Sequence, residues 1–156
     1  MRTLVAIPCK NLENEIGKVV RAVMSLGLGL DVLAVDDGST DGTSSVAEAA
    51  GAHVIRHEVN LGKGAALATG FRYAVEKGYD AVITMDGDGQ HDPTAVPTFL
   101  SAVGATDADI IVGTRMHAVG DMPGLRVWTN RTTSRVVSFL AGQRIPDSQS
   151  GYRLLT

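Results

Sequence analysis

The sequence predicts an α/β fold in which helices cover both faces of a mostly parallel sheet. Two observations lead to this prediction: short, continuously apolar runs recur along the chain, and longer helical patterns separate them. Strands without polar alternation are typical of a sheet that is buried on both faces. Regular alternation of strand and helix is typical of β-α-β units, whose strands run parallel.

The predicted elements follow one another without an internal repeat or a linker. The strands are Thr3–Pro8, Val32–Asp36, His53–His57, Ala81–Met85 and Ile110–Gly113. The helices are Glu15–Ser25, Thr43–Ala50, Gly64–Lys77, Pro93–Val103 and Leu125–Leu140. We therefore predict one domain over residues 1–156. The last four residues resemble the middle of an element, so we expect this domain to be truncated at its C-terminus.

The composition is that of a globular domain. Of the 156 residues, 44% are hydrophobic and the formal net charge is −3, which excludes wholesale disorder. The single cysteine, Cys9, excludes an internal disulfide framework and fits a reducing compartment. The sequence has no run of 18 apolar residues and no signal-peptide pattern, and it therefore predicts a cytoplasmic location without a bilayer-spanning segment.

Charge is distributed unevenly along the chain. Residues 1–114 carry eight basic and fifteen acidic side chains, whereas residues 115–156 carry six basic and two acidic ones. All six basic side chains of the second block are arginines, and the planar guanidinium group suits carboxylates and phosphates. Two interpretations remain open: a solvated helix face, or a site for an anionic ligand or an anionic lipid surface.

Polar residues cluster directly after four of the predicted strands. The clusters begin at Pro8, Asp36, Asp86 and Gly113. In an open α/β sheet, ligands bind beyond the carboxyl ends of the strands. The common placement of these clusters therefore predicts a binding site along one rim of the sheet.

The cluster Asp86-Gly87-Asp88 follows a strand that is predicted to be buried. Two carboxylates that flank a glycine can both reach a hard cation, and Mg²⁺ or Mn²⁺ commonly takes one or two carboxylates together with substrate phosphates and water. Gln90, His91 and Asp92 follow closely and are candidate outer ligands. A helix-capping turn is the alternative interpretation, and it accounts for Asp92 but for neither Asp86 nor Asp88.

A second pair of carboxylates, Asp36 and Asp37, ends the second predicted strand. A carboxylate there can accept hydrogen bonds from a nucleobase N–H group or from ribose hydroxyls. A nicotinamide-dependent dehydrogenase is not favoured, because no G-x-G-x-x-G motif follows the first strand. Lys63 is either a contact to a diphosphate or a structural residue at a helix start. The sequence assigns His57 an ordinary polar position, because it has no metal-ligand spacing.

Five motifs span the chain from the first predicted strand to the C-terminus. They are Ile7–Asn11, Val35–Thr43, Met85–Pro93, Val112–Arg115 and Asp147–Arg153. Taken in this order, they resemble family 2 glycosyltransferases, and within that family the dolichyl- or polyprenyl-phosphate sugar synthases of the mannose or glucose type. The resemblance implies the GT-A nucleotide-diphospho-sugar transferase fold, which has a Rossmann-like, mostly parallel sheet.

The resemblance also implies an activity. It implies transfer of a sugar from a GDP-mannose or UDP-glucose type of donor to a polyprenyl or dolichyl phosphate, with inversion and with Mg²⁺ or Mn²⁺ as cofactor. The alternatives are a family 2 transferase that acts on a saccharide hydroxyl and a non-catalytic nucleotide-sugar-binding module. No nucleic-acid partner is implied. The lipid acceptor leaves open a peripheral contact with the cytoplasmic face of a membrane.

Carried over by position, the resemblance assigns roles to single residues. Nucleotide binding is assigned to Pro8, Lys10, Val35, Asp37, Asp86 and Gly87, and the metal to Asp86, Asp88 and Gln90. Catalysis is assigned to Asp88, Arg115 and Arg131, and the acceptor phosphate to Arg131 and Arg153. The family usually has a glutamate directly after the asparagine of the first motif. This chain has Leu12 there, followed by Glu13, and the sequence leaves open which of the two takes that position.

Overall fold

The structure is a computed structural model, and it describes residues 1–106, 108–113, 138 and 150–156. Its strands are β1 (Thr3–Cys9), β2 (Asp31–Asp36), β3 (His53–Arg56), β4 (Ala81–Thr84), β5 (Ile110–Val112) and β6 (Arg153–Leu155). Its helices are α1 (Ile16–Met24), α2 (Thr43–Ala49), α3 (Lys63–Lys77) and α4 (Val96–Ala105), and a 3-10 turn over Pro93–Ala95 precedes α4.

The five predicted strands and the first four predicted helices are confirmed, with ends that differ by a few residues. The predicted helix Leu125–Leu140 lies outside the described residues except at residue 138, which is helical. Within the described part of the chain, no helix is both long enough and apolar enough to cross a bilayer.

The six strands form one sheet in the order β3-β2-β1-β4-β6-β5. Strand β1 pairs in parallel with β2 and with β4, and β2 pairs in parallel with β3. The chain segments that follow β1, β2 and β4 therefore meet at one rim of the sheet. This arrangement confirms the predicted α/β class.

Strand β6 makes the sheet mixed, and the sequence analysis did not predict it. It runs antiparallel to β4, with Leu154 opposite Ile83, and antiparallel to β5, with Leu154 opposite Ile111. A strand of three residues is too short for a hydrophobic period, so only its two partners define it. Leu154 is fully buried between them.

The sheet is buried on both faces, as its continuously apolar strands predict. Helices α1 and α4 cover one face, where Val5, Ile7 and Ile83 meet residues of both helices in the larger apolar cluster. Helix α3 covers the other face, and it packs on Leu4, Ala6, Leu33, Val35 and Val82. A Cβ atom on Gly70 of α3 would lie 3.2 Å from the Cβ of Ala6, so the glycine allows α3 to approach β1 closely.

Candidate active site

A cleft of about 350 Å³ lies at the carboxyl ends of β1, β2 and β4. The described residues that line it are Pro8, Cys9, Lys10, Leu12, Asp37, Asn60, Lys63, Ala66, Asp86, Gly87 and Asp88. They include all of the residues with a predicted nucleotide-binding role except Val35. The Val35 side chain is 1% exposed and packs in the apolar cluster beneath α3, because alternate side chains of a strand point to opposite faces.

Asp86 and Lys63 form an ion pair in the cleft. The Nζ atom of Lys63, the first residue of α3, lies 2.5 Å from Oδ1 of Asp86. The Asp86 side chain is 20% exposed and that of Lys63 is 55% exposed, so solvent and ligands reach both groups. The structure thus places the ammonium group of Lys63, at the end of a long flexible side chain, beside Asp86. The sequence analysis assigned Asp86 to metal and nucleotide binding.

The main chain of Asp86 is held from behind by a buried aromatic pair. Its backbone N–H donates a hydrogen bond to Nδ1 of His91 at 2.9 Å. The His91 ring is buried and stacks on Tyr152, with 4.9 Å between the ring centroids. The hydroxyl of Tyr152 donates to the carbonyl oxygen of Asp92 at 3.1 Å. The segment that leads into β6 therefore supports the loop after β4.

Asp88 is exposed at the mouth of the cleft, and its Oδ1 accepts a hydrogen bond from the backbone N–H of Gln90 at 3.0 Å. The side chain of Gln90 is exposed and lies outside the described lining of the cleft. Among the described residues, no three His, Cys, Asp or Glu side chains form a cluster that could hold a metal ion. Two carboxylates nevertheless match the protein's share of a Mg²⁺ or Mn²⁺ site that phosphate oxygens and water complete. The donor set therefore fits a cation that binds together with a diphosphate.

Asp37 is buried in the part of the cleft that follows β2, across β1 from Asp86 and Asp88, and its carboxylate accepts three hydrogen bonds. The donors are the backbone N–H groups of Leu61 at 2.9 Å and Gly62 at 2.7 Å, and Nδ1 of His57 at 2.8 Å. Burial by itself would raise the pKa of Asp37, but these hydrogen bonds together hold the pKa below its ordinary value of 3.8. Asp37 is therefore a carboxylate at neutral pH.

The neighbouring Asp36 has a structural role instead. It is completely buried, and its Oδ1 accepts a hydrogen bond from the backbone N–H of Ser39 at 2.9 Å. Its Oδ2 accepts a hydrogen bond from the hydroxyl of Ser44 and lies 3.9 Å from Nε of Arg56. Only Asp37 of this acidic pair lines the cleft.

The structure also answers the question left open at Leu12 and Glu13. The side chain of Leu12 lines the cleft. The Glu13 carboxylate turns to the start of α2, where its Oε2 accepts a hydrogen bond from the backbone N–H of Gly42 at 2.9 Å. Neither residue supplies a carboxylate to the cleft, so an apolar side chain stands at the wall where the family usually has glutamate.

Cys9 lies at the floor of the cleft as a protonated thiol. It is 4% exposed, and its Sγ lies 3.6 Å from the carbonyl oxygen of Val35. Burial, aided by the negative charges of Asp36 and Asp41, raises the pKa of the thiol to about 12. A thiol with this pKa is not a nucleophile at neutral pH.

Arg153 lies in a second, adjacent cleft of about 460 Å³. Its Nε donates a hydrogen bond to the carbonyl oxygen of Ser150 at 2.8 Å. Lys63 lines this cleft as well as the first one, so the two clefts share a cation. Arg115 and Arg131, which carry predicted catalytic and acceptor roles, lie outside the described residues.

The sequence analysis missed two residues that shape this site. His57 contacts the carboxylate of Asp37, and its position at the end of a predicted strand, on the same rim, is the signal that could have identified it. Gly151 lies against Asp86: a Cβ atom there would be 3.0 Å from each carboxylate oxygen. Gly151 lies within the fifth motif, but the motif does not predict its contact with Asp86, which is 65 residues away along the chain.

Comparison with known proteins assigns the chain to a family. The profile of glycosyl transferase family 2 matches residues 4–153. The polyprenol monophosphomannose synthase of Mycolicibacterium smegmatis is 34% identical over 161 aligned positions, which cover 97% of this chain and 60% of that protein. The chain belongs to glycosyl transferase family 2. This confirms the family resemblance on which the five motifs agree.

A second relative of the family 2 chain is the undecaprenyl-phosphate mannosyltransferase of Micrococcus luteus. It is 35% identical over 165 aligned positions, which cover 98% of this chain and 65% of that protein. The family 2 chain therefore spans 60% and 65% of the lengths of these two curated relatives.

A solved structure of similar fold is the glucosyl-3-phosphoglycerate synthase from Mycobacterium tuberculosis, in complex with Mn²⁺, uridine diphosphate and glucosyl-3-phosphoglycerate. Its TM-score to the family 2 chain is 0.76 at 23% sequence identity, and the match covers 99% of this chain and 56% of that one. This likeness confirms the predicted GT-A fold.

Proposed function

We propose that this family 2 chain takes part in the transfer of a sugar from a nucleoside-diphosphate sugar to a polyprenyl phosphate, with inversion at the anomeric carbon. The observation that carries the proposal is the grouping of Asp86, Asp88 and Lys63 in one cleft at the carboxyl ends of the parallel strands. Both curated relatives described above are named for mannose transfer to polyprenyl phosphates, which supports this class of acceptor.

The diphosphate of the donor is the group that this cleft suits best. Asp86 and Asp88 would hold Mg²⁺ or Mn²⁺ through their carboxylate oxygens, and Mn²⁺ with uridine diphosphate in the similar solved structure supports this choice of ion. The chemistry that a bound divalent ion supplies is neutralisation of the charge on the leaving diphosphate. Lys63 and Lys10 add positive charge along the same cleft and favour an anionic ligand.

The nucleoside is expected at the opposite wall, beside Asp37. The carboxylate of Asp37 has about four acceptor positions, of which three are taken by the described donors. The remaining position can accept an N–H group of a base or a ribose hydroxyl. Guanine and uracil both present such a group, and titration of guanosine diphosphate and uridine diphosphate distinguishes between these two bases.

The phosphate of the lipid acceptor has to be positioned for attack, but it does not have to be deprotonated by the protein. A lipid phosphate is already anionic near neutral pH, so one of its oxygens can attack the anomeric carbon as the bond to the diphosphate breaks. A sugar hydroxyl would instead need a general base. Arg131 and Arg153 are proposed to hold the acceptor phosphate and Arg115 to assist catalysis, because one guanidinium group can bind two phosphate oxygens at once. A lipid acceptor would bring the protein to the cytoplasmic face of a membrane.

The test is a transfer assay on the purified protein with GDP-mannose and UDP-glucose as donors and a short-chain polyprenyl phosphate as acceptor. We expect labelled polyprenyl-phosphate sugar with one of these donors. Addition of EDTA should abolish the product, and Asp88→Asn should lower kcat by about a hundredfold or more, since it removes a charge that holds the ion.

Glu76→Gln is the matched control, because Glu76 is an exposed carboxylate near the end of α3 opposite to Lys63, which lines the cleft. This variant should transfer sugar like the wild type. Full transfer in the presence of EDTA would contradict the role of Asp86 and Asp88. Transfer to a saccharide acceptor but not to a polyprenyl phosphate would replace the lipid acceptor by a sugar hydroxyl, and nucleotide binding without turnover would favour a binding module.

A further inference from the structure

The imidazole of His57 joins two elements beside the cleft. Its Nδ1 lies 2.8 Å from Oδ1 of Asp37, directly after β2, and its Nε2 lies 3.0 Å from the hydroxyl of Thr69 in α3. The side chain is 11% exposed, and its backbone N–H donates to the carbonyl oxygen of Asp36 at 2.8 Å. Both ring nitrogens and the main chain of His57 are therefore engaged.

The direction of these hydrogen bonds follows from the state of Asp37. The hydrogen bonds to its carboxylate outweigh burial and keep its pKa below 3.8, so the group is ionised and can only accept. Nδ1 of His57 must then carry the proton that lies between the two residues. In the neutral ring Nε2 has no proton, and it accepts the hydrogen bond of the Thr69 hydroxyl.

Asp37 is also the point to which the loop between β3 and α3 is fastened. Its two carboxylate oxygens accept the backbone N–H groups of Leu61 and Gly62. Gly62 has a φ angle of 92°, a conformation that favours glycine. The same loop carries Asn60 into the lining of the cleft. The orientation of the Asp37 carboxylate and the conformation of this loop therefore depend on each other.

We propose that His57 is a positioning residue for nucleoside recognition: it holds the Asp37 carboxylate so that the remaining acceptor position faces the nucleoside. His57 is absent from the described lining of the cleft, so it acts through Asp37. The inference rests on the proposed function, because it requires that Asp37 meets the nucleoside of a nucleoside diphosphate. The proposal adds to the site a residue that supports donor binding without contacting the donor.

Three substitutions separate the two hydrogen bonds of the ring. His57→Asn keeps an amide nitrogen where Nδ1 donates to Asp37, and His57→Gln offers an amide oxygen where Nε2 accepts from the hydroxyl of Thr69. His57→Phe keeps a ring of similar size and removes both hydrogen bonds. His53→Asn is the matched control, because His53 is an exposed histidine at the start of β3 whose ring stacks on Tyr73, with 5.2 Å between centroids.

The measurement is isothermal titration of uridine diphosphate and of guanosine diphosphate, each with Mn²⁺, into the wild type and the four variants. We expect His57→Asn and His53→Asn to bind within about threefold of the wild type, since both keep the donor to Asp37. We expect His57→Gln and His57→Phe to bind about ten- to a hundredfold more weakly, the usual cost of losing a hydrogen bond to a charged group. In the transfer assay, KM for the donor should rise while kcat at saturation changes little.

Thermal melts of the same variants separate positioning from a purely structural role. A structural role would lower the melting temperature while leaving the nucleotide affinity of the folded protein unchanged. Tight binding by folded His57→Gln, or equal weakening by His57→Asn and His57→Gln, would overturn the inference, and this comparison needs no data from His57→Phe. If the wild type binds neither nucleotide, the proposed function fails and the role of His57 fails with it.

Discussion

The adjacent carboxylates of Asp36 and Asp37 have different roles because they accept hydrogen bonds from different donors. Asp36 and Asp37 are adjacent, yet Asp36 is bound by the loop that follows it and Asp37 by amides of the loop before α3. The sequence could predict that both lie at the rim of the sheet. It could not predict which of them lines the cleft, because that depends on donors about 25 residues further along the chain.

The lowered pKa of Asp37 predicts how stability depends on pH. Its pKa in the folded state lies below the ordinary 3.8 that applies when unfolded, so the ionised group stabilises the fold above about pH 4. This contribution is lost as the pH falls through the folded-state pKa. We expect Asp37→Asn to lower the free energy of unfolding at pH 7 by about 1–3 kcal/mol, as for other hydrogen bonds to charged groups.

Urea unfolding at pH 7 and at pH 3 checks this expectation. The difference in unfolding free energy between the wild type and Asp37→Asn should be smaller at pH 3. The exposed Glu76 near the end of α3 provides the reference substitution Glu76→Gln. A difference for Asp37→Asn that is the same at both pH values would contradict an ionised, hydrogen-bonded Asp37.

Among the described elements, β6 is short but shapes the site. It has three residues, and its sequence carries no strand pattern, but it fills the gap between β4 and β5. The residues that lead into it support the loop after β4: Tyr152 stacks on His91, and Gly151 lies against the carboxylate of Asp86. Pairing of β6 with β4 therefore decides where the Asp86 carboxylate lies.

We predict that Gly151→Ala weakens binding of the divalent ion while the fold is kept. The added Cβ would lie 3.0 Å from both oxygens of the Asp86 carboxylate, closer than ordinary contacts, so that side chain has to move. Mn²⁺ affinity in the presence of uridine diphosphate, measured by calorimetry, should fall about tenfold or more, because a displaced ligand costs upward of ~1.4 kcal/mol.

Gly104→Ala is the control for this substitution. Gly104 lies in α4, and a Cβ atom there meets nothing within 4 Å. This variant should keep the Mn²⁺ affinity and gain a little stability, since alanine favours a helix by up to about 1 kcal/mol over glycine. Equal Mn²⁺ affinity for Gly151→Ala and the wild type would show that Asp86 does not ligate the ion in the orientation described.

At the scale of the whole molecule, the order of the strands assembles the cleft. Because β1 lies between β2 and β4, Lys10 after β1 shares one cleft with Asp37 after β2 and Asp86 after β4. The uneven distribution of charge along the chain also bears on the cleft, because the acidic residues 1–114 supply its carboxylates. The arginine-rich second block contributes Arg153, which lines the adjacent cleft.

This organisation predicts that nucleotide and metal stabilise the molecule together. A ligand that binds only the folded state raises the melting temperature, and at a hundred times its Kd the gain is about 2.7 kcal/mol, or roughly 5–10 °C for a domain of this size. We expect a shift of this order for uridine or guanosine diphosphate with Mn²⁺, and a much smaller one with EDTA. An equal shift with and without Mn²⁺, measured by scanning fluorimetry, would contradict a shared site for metal and diphosphate.

The sequence by itself determined the alternation of strands and helices and the placement of the polar clusters at strand ends. These features are local, because apolar periodicity and turn residues act over a few neighbours along the chain. It also carried the five motifs that identify the family. The sequence also shows that Leu12 stands where the family usually has glutamate.

Only the tertiary structure decided which of these side chains meet. The pairing of Lys63 with Asp86, the turn of Glu13 toward α2, the hold of His57 on Asp37 and the insertion of β6 all join segments that are distant in sequence. The physical reason is that such contacts depend on how the two faces of the sheet are packed and on which strands are neighbours. Neither is encoded in a local pattern, because both result from burial of the whole apolar core.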